Sequence, residues 1–227
     1  IPVAAAGTSL TFREPIGVCG LIAPWNFPIV ITAWKVAPAL AMGNTIVLKP
    51  ATQTPLTALK LGELALEAGV PPGVFNVVPG SGTEAGEALV RHPLVRKVSF
   101  TGSTEIGTQV MKLAADDIKR VTLELGGKSA NLIFADADLE TAVPKSMWSV
   151  LGNAGQDCCA RSRILVDRAI YPVFLEQLIA QFQTLKLGKP SDEATEIGCL
   201  ISKQHRDRVH EYVEIGKSEG AKLVCGG

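Results

Sequence analysis

Apolar and polar positions follow two rhythms along the chain. Short β-branched runs predict strands at VCGLIA (18–23), TIVLK (45–49), VFNVV (74–78), KVSF (97–100), VTLEL (121–125), ANLIF (130–134) and RILV (163–166). Between them, apolar residues three and four apart predict helices near 29–41, 55–69, 83–91, 104–115, 137–151, 168–183 and 202–219. In the 168–183 segment, Ile170, Val173, Phe174, Leu178, Ile179 and Phe182 make one apolar stripe, and Pro172 falls in the first turn, where proline is tolerated. Strands fed by helices at this rhythm predict an α/β fold with a largely parallel sheet. Pro- and Gly-containing loops punctuate the chain, and a domain change is expected near 123–128, where a strand runs into LGGK. The final KLVCGG (222–227) is strand-like and cut at two glycines, which reads as a piece of something longer.

Composition narrows the classes. A length of 227 residues with 47% hydrophobic content suits one large domain or two small ones. Lys+Arg and Asp+Glu both number 22, so charge gives no reason to expect nucleic acid or an anionic membrane as partner. No apolar run is long enough to span a bilayer. The opening IPVAAAGTSLTF lacks a basic segment followed by an apolar one and does not read as a signal peptide. Five cysteines (Cys19, Cys158, Cys159, Cys199 and Cys225), odd in number and irregularly spaced, read as reduced thiols in a cytoplasmic protein. No metal site is expected, because there is no C-x-x-C pair and the three histidines lack ligand spacing. A Cys158–Cys159 disulfide would close a strained ring across one peptide.

Four motifs carry candidate chemistry. In SFTGSTEIGTQV (99–110), a strand, a glycine turn and a helix start offer N–H groups and a dipole to a phosphate, with Ser103 adding a hydroxyl; an ordinary serine N-cap reads equally well. In VTLELGGKSAN (121–131), Glu124 stands at a strand end before two glycines. Burial would make it a general base, and exposure a solvated carboxylate. In GQDCCAR (155–161), a thiol stands at what reads as a helix start, where the dipole would favour thiolate; the alternative is a buried structural cysteine. In APWNFPIVITAW (23–34), two prolines fix a loop whose Asn26 amide can face a developing oxyanion, or simply sit in a turn among packed aromatics.

Together PWNFP, LKPA..TP, FTGSTEIG, LELGGKS and GQDCC resemble the NAD(P)-dependent aldehyde dehydrogenase superfamily in order and spacing over essentially the whole chain. The resemblance implies part of a Rossmann-like cofactor-binding domain over 1–123, followed by the N-terminal part of an α/β catalytic domain over 124–227. It implies oxidation of an aldehyde to a carboxylic acid through a cysteine thiohemiacetal and thioester, with hydride passed to NAD or NADP. The family's G-Q-x-C register makes Cys158 the nucleophile. Asn26 and the Cys158 backbone N–H then hold the oxyanion, Glu124 activates the deacylating water, and Lys35 assists proton movement. For the cofactor it implies Lys49 at the adenosine ribose, Ser103 at the pyrophosphate, Gly82 and Ile106 at the adenine side, and Trp25 and Gly126 at the nicotinamide end. Trp34, Phe27 and Leu151 would line the substrate tunnel. Thr52 stands where many NAD-preferring relatives carry glutamate, so NADP is expected to be accepted.

Family members are typically more than twice this long, and the later E-x-F-G-P motif is absent here. A homo-oligomer is expected of the full-length protein, with a small-molecule aldehyde as its partner. Two alternatives stand beside this reading. One is a CoA-acylating relative, which the intact LELGGK argues against; the other is a non-catalytic structural relative, which intact Asn26, Glu124 and Cys158 argue against.

Overall fold

The computed structural model describes residues 7–227; residues 1–6, part of the stretch read as leaderless, lie outside the described residues. The chain divides into two compact units, one ending at Leu125 and the other comprising Gly126–Gly227. No helix among the described residues is long and apolar enough to cross a membrane.

The first unit is a five-stranded parallel sheet: β1 (Val18–Ile22), β2 (Thr45–Lys49), β3 (Phe75–Val77), β4 (Val95–Gly102) and β5 (Arg120–Leu125), in the order β3-β2-β1-β4-β5. Parallel strands need crossover connections, which here are helical. Helices α1 (Pro28–Ala41) and α2 (Leu56–Glu67) cover one face, where Val36 and Ala58 pack on Cys19, Leu21, Ile46 and Leu48. Helices α3 (Glu87–Arg91) and α4 (Thr104–Ala115) cover the other, where Leu89, Val90, Val110 and Ala114 pack on Ile22, Val98 and Phe100. With both faces covered, the central strand β1 (VCGLI) is apolar throughout rather than alternating. β5 pairs with β4 alone, and its alternation is visible: Val121, Leu123 and Leu125 pack inward while Thr122 and Glu124 are exposed.

Local chemistry sets the element ends. Pro28 occupies the first turn of α1, where a missing N–H costs nothing. Asn44 is buried and closes the α1–β2 turn: its side-chain oxygen accepts from the Ile16 and Gly17 amides, and its NH2 donates to the Ala39 carbonyl. Ser81 and Ser103 cap their helical turns by accepting from the Glu84 and Ile106 amides. The helix read at 83–91 begins as a single π-type turn (Gly82–Gly86) before α3, an arrangement that hydrophobic spacing does not encode.

In the second unit, β6 (Ala130–Ile133) and β7 (Arg163–Val166) pair in parallel. Helices α5 (Leu139–Leu151) and α6 (Tyr171–Thr184) share a core of Ile133, Val143, Met147, Phe174 and Leu178. The stripe read at 168–183 is this buried face, and Pro172 lies in the first turn of α6. Helix α7 (Lys203–Ser218) buries no residue. The strand-like KLVCGG forms no strand, because no neighbouring strand among the described residues offers it a ladder to join.

Candidate functional site

From β1 the chain steps to β2 on one side, then later adds β4 on the other side. The strand order therefore reverses at β1, and the connections leaving the carboxyl ends of β1 and β4 part to helices on opposite faces, which leaves a crevice. A cavity of about 510 Å³ lies there. It is lined by the residues that follow β1 (Ala23, Pro24, Trp25), those at and after the end of β2 (Lys49, Thr52, Gln53) and those at the end of β4 (Thr101, Gly102, Ser103). Of the seven residues read as cofactor-binding, Trp25, Lys49, Thr52, Gly82, Ser103 and Ile106 line this one cavity. Gly126 opens the second unit and is not among them.

Each has a local reason for its place. Lys49 is the last residue of β2; its ammonium donates to the Pro50 carbonyl at 2.8 Å, and burial pulls its pKa below the usual lysine range. The Thr52 hydroxyl donates to the Gly80 carbonyl at 3.1 Å. Its proton is thereby committed, and its lone pairs remain to accept from a ribose hydroxyl. Ser103 caps α4 with a lone pair, which leaves the cap reading and an anion-binding reading compatible: the helix's first N–H groups and positive dipole end still point the same way. A Cβ at Gly82 would meet nothing within 4 Å, whereas one at Gly107 would sit 2.6 Å from Leu125 Cδ2; the second glycine lets α4 approach β5. Thr101 was missed by sequence reasoning. It lines the cavity, is buried, and its hydroxyl has no hydrogen-bond partner. Its sequence signal is the strand position immediately before the glycine turn.

A polar seam runs between α1 and the sheet. Lys35 is buried, and its ammonium donates to Ser99 Oγ at 2.9 Å. Its pKa is pushed down to about 8, chiefly by burial and further by Lys97, while the Glu124 carboxylate opposes the shift. Glu124 pairs in register with Thr101 and is exposed. Within this unit Glu124 is thus a solvated strand-end carboxylate. Asn26 lies half-buried in the bend between β1 and α1, and Phe27 forms the N-cap of α1. Trp34, read as a tunnel residue, is 71% exposed on α1.

The thiol loop belongs to the second unit, and here one expectation is corrected. No helix starts at Cys158. After α5 the chain makes a left-handed turn, with φ of 52° at Asn153, 55° at Ala154 and 76° at Gly155. Cys158 and Cys159 then occupy a turn in which the Asp157 carboxylate accepts the Cys159 N–H at 2.8 Å and its carbonyl accepts the Ala160 N–H. Asp157 makes the bond an N-cap would make, but the chain leaves directly for β7. With no helix dipole to favour thiolate, the Cys158 thiol is pushed above the usual range. Burial is the main cause, followed by the Cys159 hydrogen bond and the nearby Cys159 and Asp157 charges; its own backbone N–H acts the other way. The two sulfurs lie 3.7 Å apart, so both side chains project to the same side, and Cys158 is the less exposed. Gln156 anchors the loop: its side-chain oxygen accepts the Ile201 N–H, and its NH2 donates to the Asn153 carbonyl. Leu151, read as a tunnel residue, packs partly into the second unit's core.

A family model described as the aldehyde dehydrogenase family matches residues 1–227. The chain belongs to the aldehyde dehydrogenase family. It is 50% identical over 228 residues to retinal dehydrogenase 2 of Homo sapiens, covering all of this chain and 44% of that protein. It is 49% identical over 232 residues to cytosolic 10-formyltetrahydrofolate dehydrogenase of Xenopus tropicalis, covering all of this chain and 26% of that protein. An aldehyde dehydrogenase from Bacillus cereus, solved as its NAD+ complex, superimposes with a TM-score of 0.92 at 50% identity over 94% of this chain and 43% of that one. The chain thus spans less than half the length of these aldehyde dehydrogenase relatives.

Proposed function

We propose that this chain is the nucleotide-binding and thiol-bearing portion of an enzyme that oxidises a small-molecule aldehyde to a carboxylic acid, with NAD as hydride acceptor. The observation that carries the reading is the cavity at the point of strand-order reversal, where Trp25, Lys49, Thr52, Gly82, Ser103 and Ile106 converge. It is supported by the NAD+ complex of the Bacillus cereus relative and by the dehydrogenase names of the others, which favour oxidation over the CoA-acylating and non-catalytic alternatives.

The cavity fits a dinucleotide: a helix N-terminus faces it, Gly82 leaves it open, and the buried Thr101 hydroxyl lacks a partner. In this reading Ser103 and the α4 N-terminus take the pyrophosphate, Lys49 and Thr52 the adenosine ribose, Gly82 and Ile106 the adenine side, and Trp25 and Gly126 the nicotinamide end. When bound, NAD accepts the hydride lost from the former aldehyde carbon. Cys158 supplies the attacking thiolate, giving a thiohemiacetal and then a thioester. Asn26 and the Cys158 N–H donate to the oxyanion. Glu124 takes a proton from the water that hydrolyses the thioester. Lys35, with its pKa brought to about 8, passes protons away from the seam.

The same proposal places the cofactor domain at 1–123 and the catalytic domain at 124–227, a homo-oligomer in the full-length protein, and a cytoplasmic location, in keeping with the cytosolic relative's name. NADP acceptance is supported by the absence of a carboxylate at Thr52, while the Thr52–Gly80 bond favours a ribose hydroxyl over a phosphate oxygen there. The test is an aldehyde panel on the full-length protein with NAD and NADP, with and without CoA, followed by reduced-cofactor absorbance. Thr52→Glu is expected to raise the NAD/NADP efficiency ratio about tenfold or more, by placing a negative charge against the 2′-phosphate. An unchanged ratio removes Thr52 from cofactor discrimination.

A further inference from the structure

We propose that Asp157, Cys158 and Cys159 bind a thiophilic divalent cation, with zinc as the representative, and that the bound ion switches the nucleophile off. The ligand atoms of these three residues all lie within 4.8 Å of one another, the one such group of His, Cys, Asp or Glu among the described residues. Tetrahedral zinc with Zn–S bonds of about 2.3 Å sets its two sulfurs ~3.8 Å apart. The Cys158 and Cys159 sulfurs stand at 3.7 Å. The pair is therefore already at the separation a metal dithiolate requires, and far from a bonded disulfide at about 2.05 Å.

The loop is held in this arrangement from three sides. The Asp157 carboxylate is fixed by the Cys159 N–H, Gln156 is tied to Ile201, and residues 153–155 make a left-handed turn. One Asp157 carboxylate oxygen takes that N–H, and the second offers a harder third donor. Cys159 is exposed, which leaves room for a water as fourth ligand. Two soft thiolates with one carboxylate favour zinc or cadmium over magnesium or calcium. Each thiol releases its proton to solvent as its metal–sulfur bond forms, and no electron is transferred. The bound ion takes the sulfur lone pair that would attack a carbonyl carbon, so removal of the ion by a chelator restores the nucleophile. The switching half of the proposal rests on Cys158 being the nucleophile; the binding half does not.

The experiment uses the full-length protein stripped of metal by a chelator. Zinc affinity is measured by equilibrium dialysis, and cadmium is added in parallel to read thiolate-to-metal charge-transfer absorption. The wild type is expected to bind one zinc that Cys159→Ala weakens about a hundredfold or more, since two linked donors gain that much over one. Cys159→Ser guards against a packing effect of alanine, and Cys199→Ala is expected to leave the affinity as it was. Equal zinc affinity in the wild type and both Cys159 variants overturns the site, as does the absence of a bound zinc. If zinc binds through Cys158 and Cys159 while aldehyde oxidation continues, the site stands and the nucleophile reading falls. If Cys158→Ala abolishes oxidation but the wild type binds no zinc, the nucleophile reading stands and the site falls.

Discussion

At the scale of single residues, two side chains carry the sharpest consequences. Cys158 and Cys159 are adjacent, share one side of a turn, and differ in exposure. In the proposed mechanism the attack falls to Cys158. Cys158→Ala is expected to lower kcat by several orders of magnitude in the full-length enzyme, and Cys159→Ala to keep it within about tenfold. Steady-state kinetics of both variants checks this, and the reverse pattern shifts the register by one. Lys35 gives the pH dependence. Its pKa falls from 10.5 to about 8 on folding, so between those values the unfolded chain binds more protons than the folded one. Stability therefore rises with pH across that window: the cost of burying the charged ammonium is fully present below pH 8 and is relieved toward pH 10.5. Relative to Lys35→Met, the wild type is expected to gain on the order of 1–3 kcal/mol across the window. A thermal-midpoint difference that stays flat from pH 8 to pH 10.5 contradicts the buried-lysine account.

Among the elements, periodicity carried most of the information. The seven strands and seven helices read from hydrophobic spacing all form, with ends displaced by a few residues, because buried faces dictate both rhythm and register. The misreadings share a cause: each depended on a partner elsewhere. KLVCGG has strand composition but no strand beside it. GQDCC has a capping aspartate, yet the residues after it are drawn into β7 against β6 rather than into a helix. Glu124 is not among them: its exposure, one of the two readings open to a strand-end glutamate, agrees with the alternation along β5, which pairs with β4 alone. Most of the predicted cofactor residues share one cavity because strand ends, which sequence marks well, are what the topology gathers. Helix α6 offers a direct test of the packing. Phe174 is 2% exposed in the second unit's core, whereas Val173 on the same helix is 40% exposed. Phe174→Ala is expected to cost about 3–5 kcal/mol and Val173→Ala about 0.5 kcal/mol or less, read from denaturant midpoints at constant m-value. Similar losses at both positions contradict the observed facing of α6.

On the scale of the whole molecule, the chain joins two kinds of chemistry in sequence order. The first unit gathers strand ends into a cavity suited to a dinucleotide and holds Lys35, Asn26 and Glu124; the second holds the thiol. The central claim is that Cys158 is acylated and that a base at Glu124 releases the acyl group. The most direct measurement is rapid-mixing kinetics of Glu124→Gln in the full-length enzyme with an aldehyde and NAD, followed by quenching and mass analysis. Glutamine keeps the shape of glutamate but cannot take a proton from water. The account predicts a burst of reduced cofactor close to one per active site, slow turnover after it, and an acyl mass that fragmentation places on Cys158. Unimpaired turnover without a burst, or an acyl group on Cys159, would contradict it.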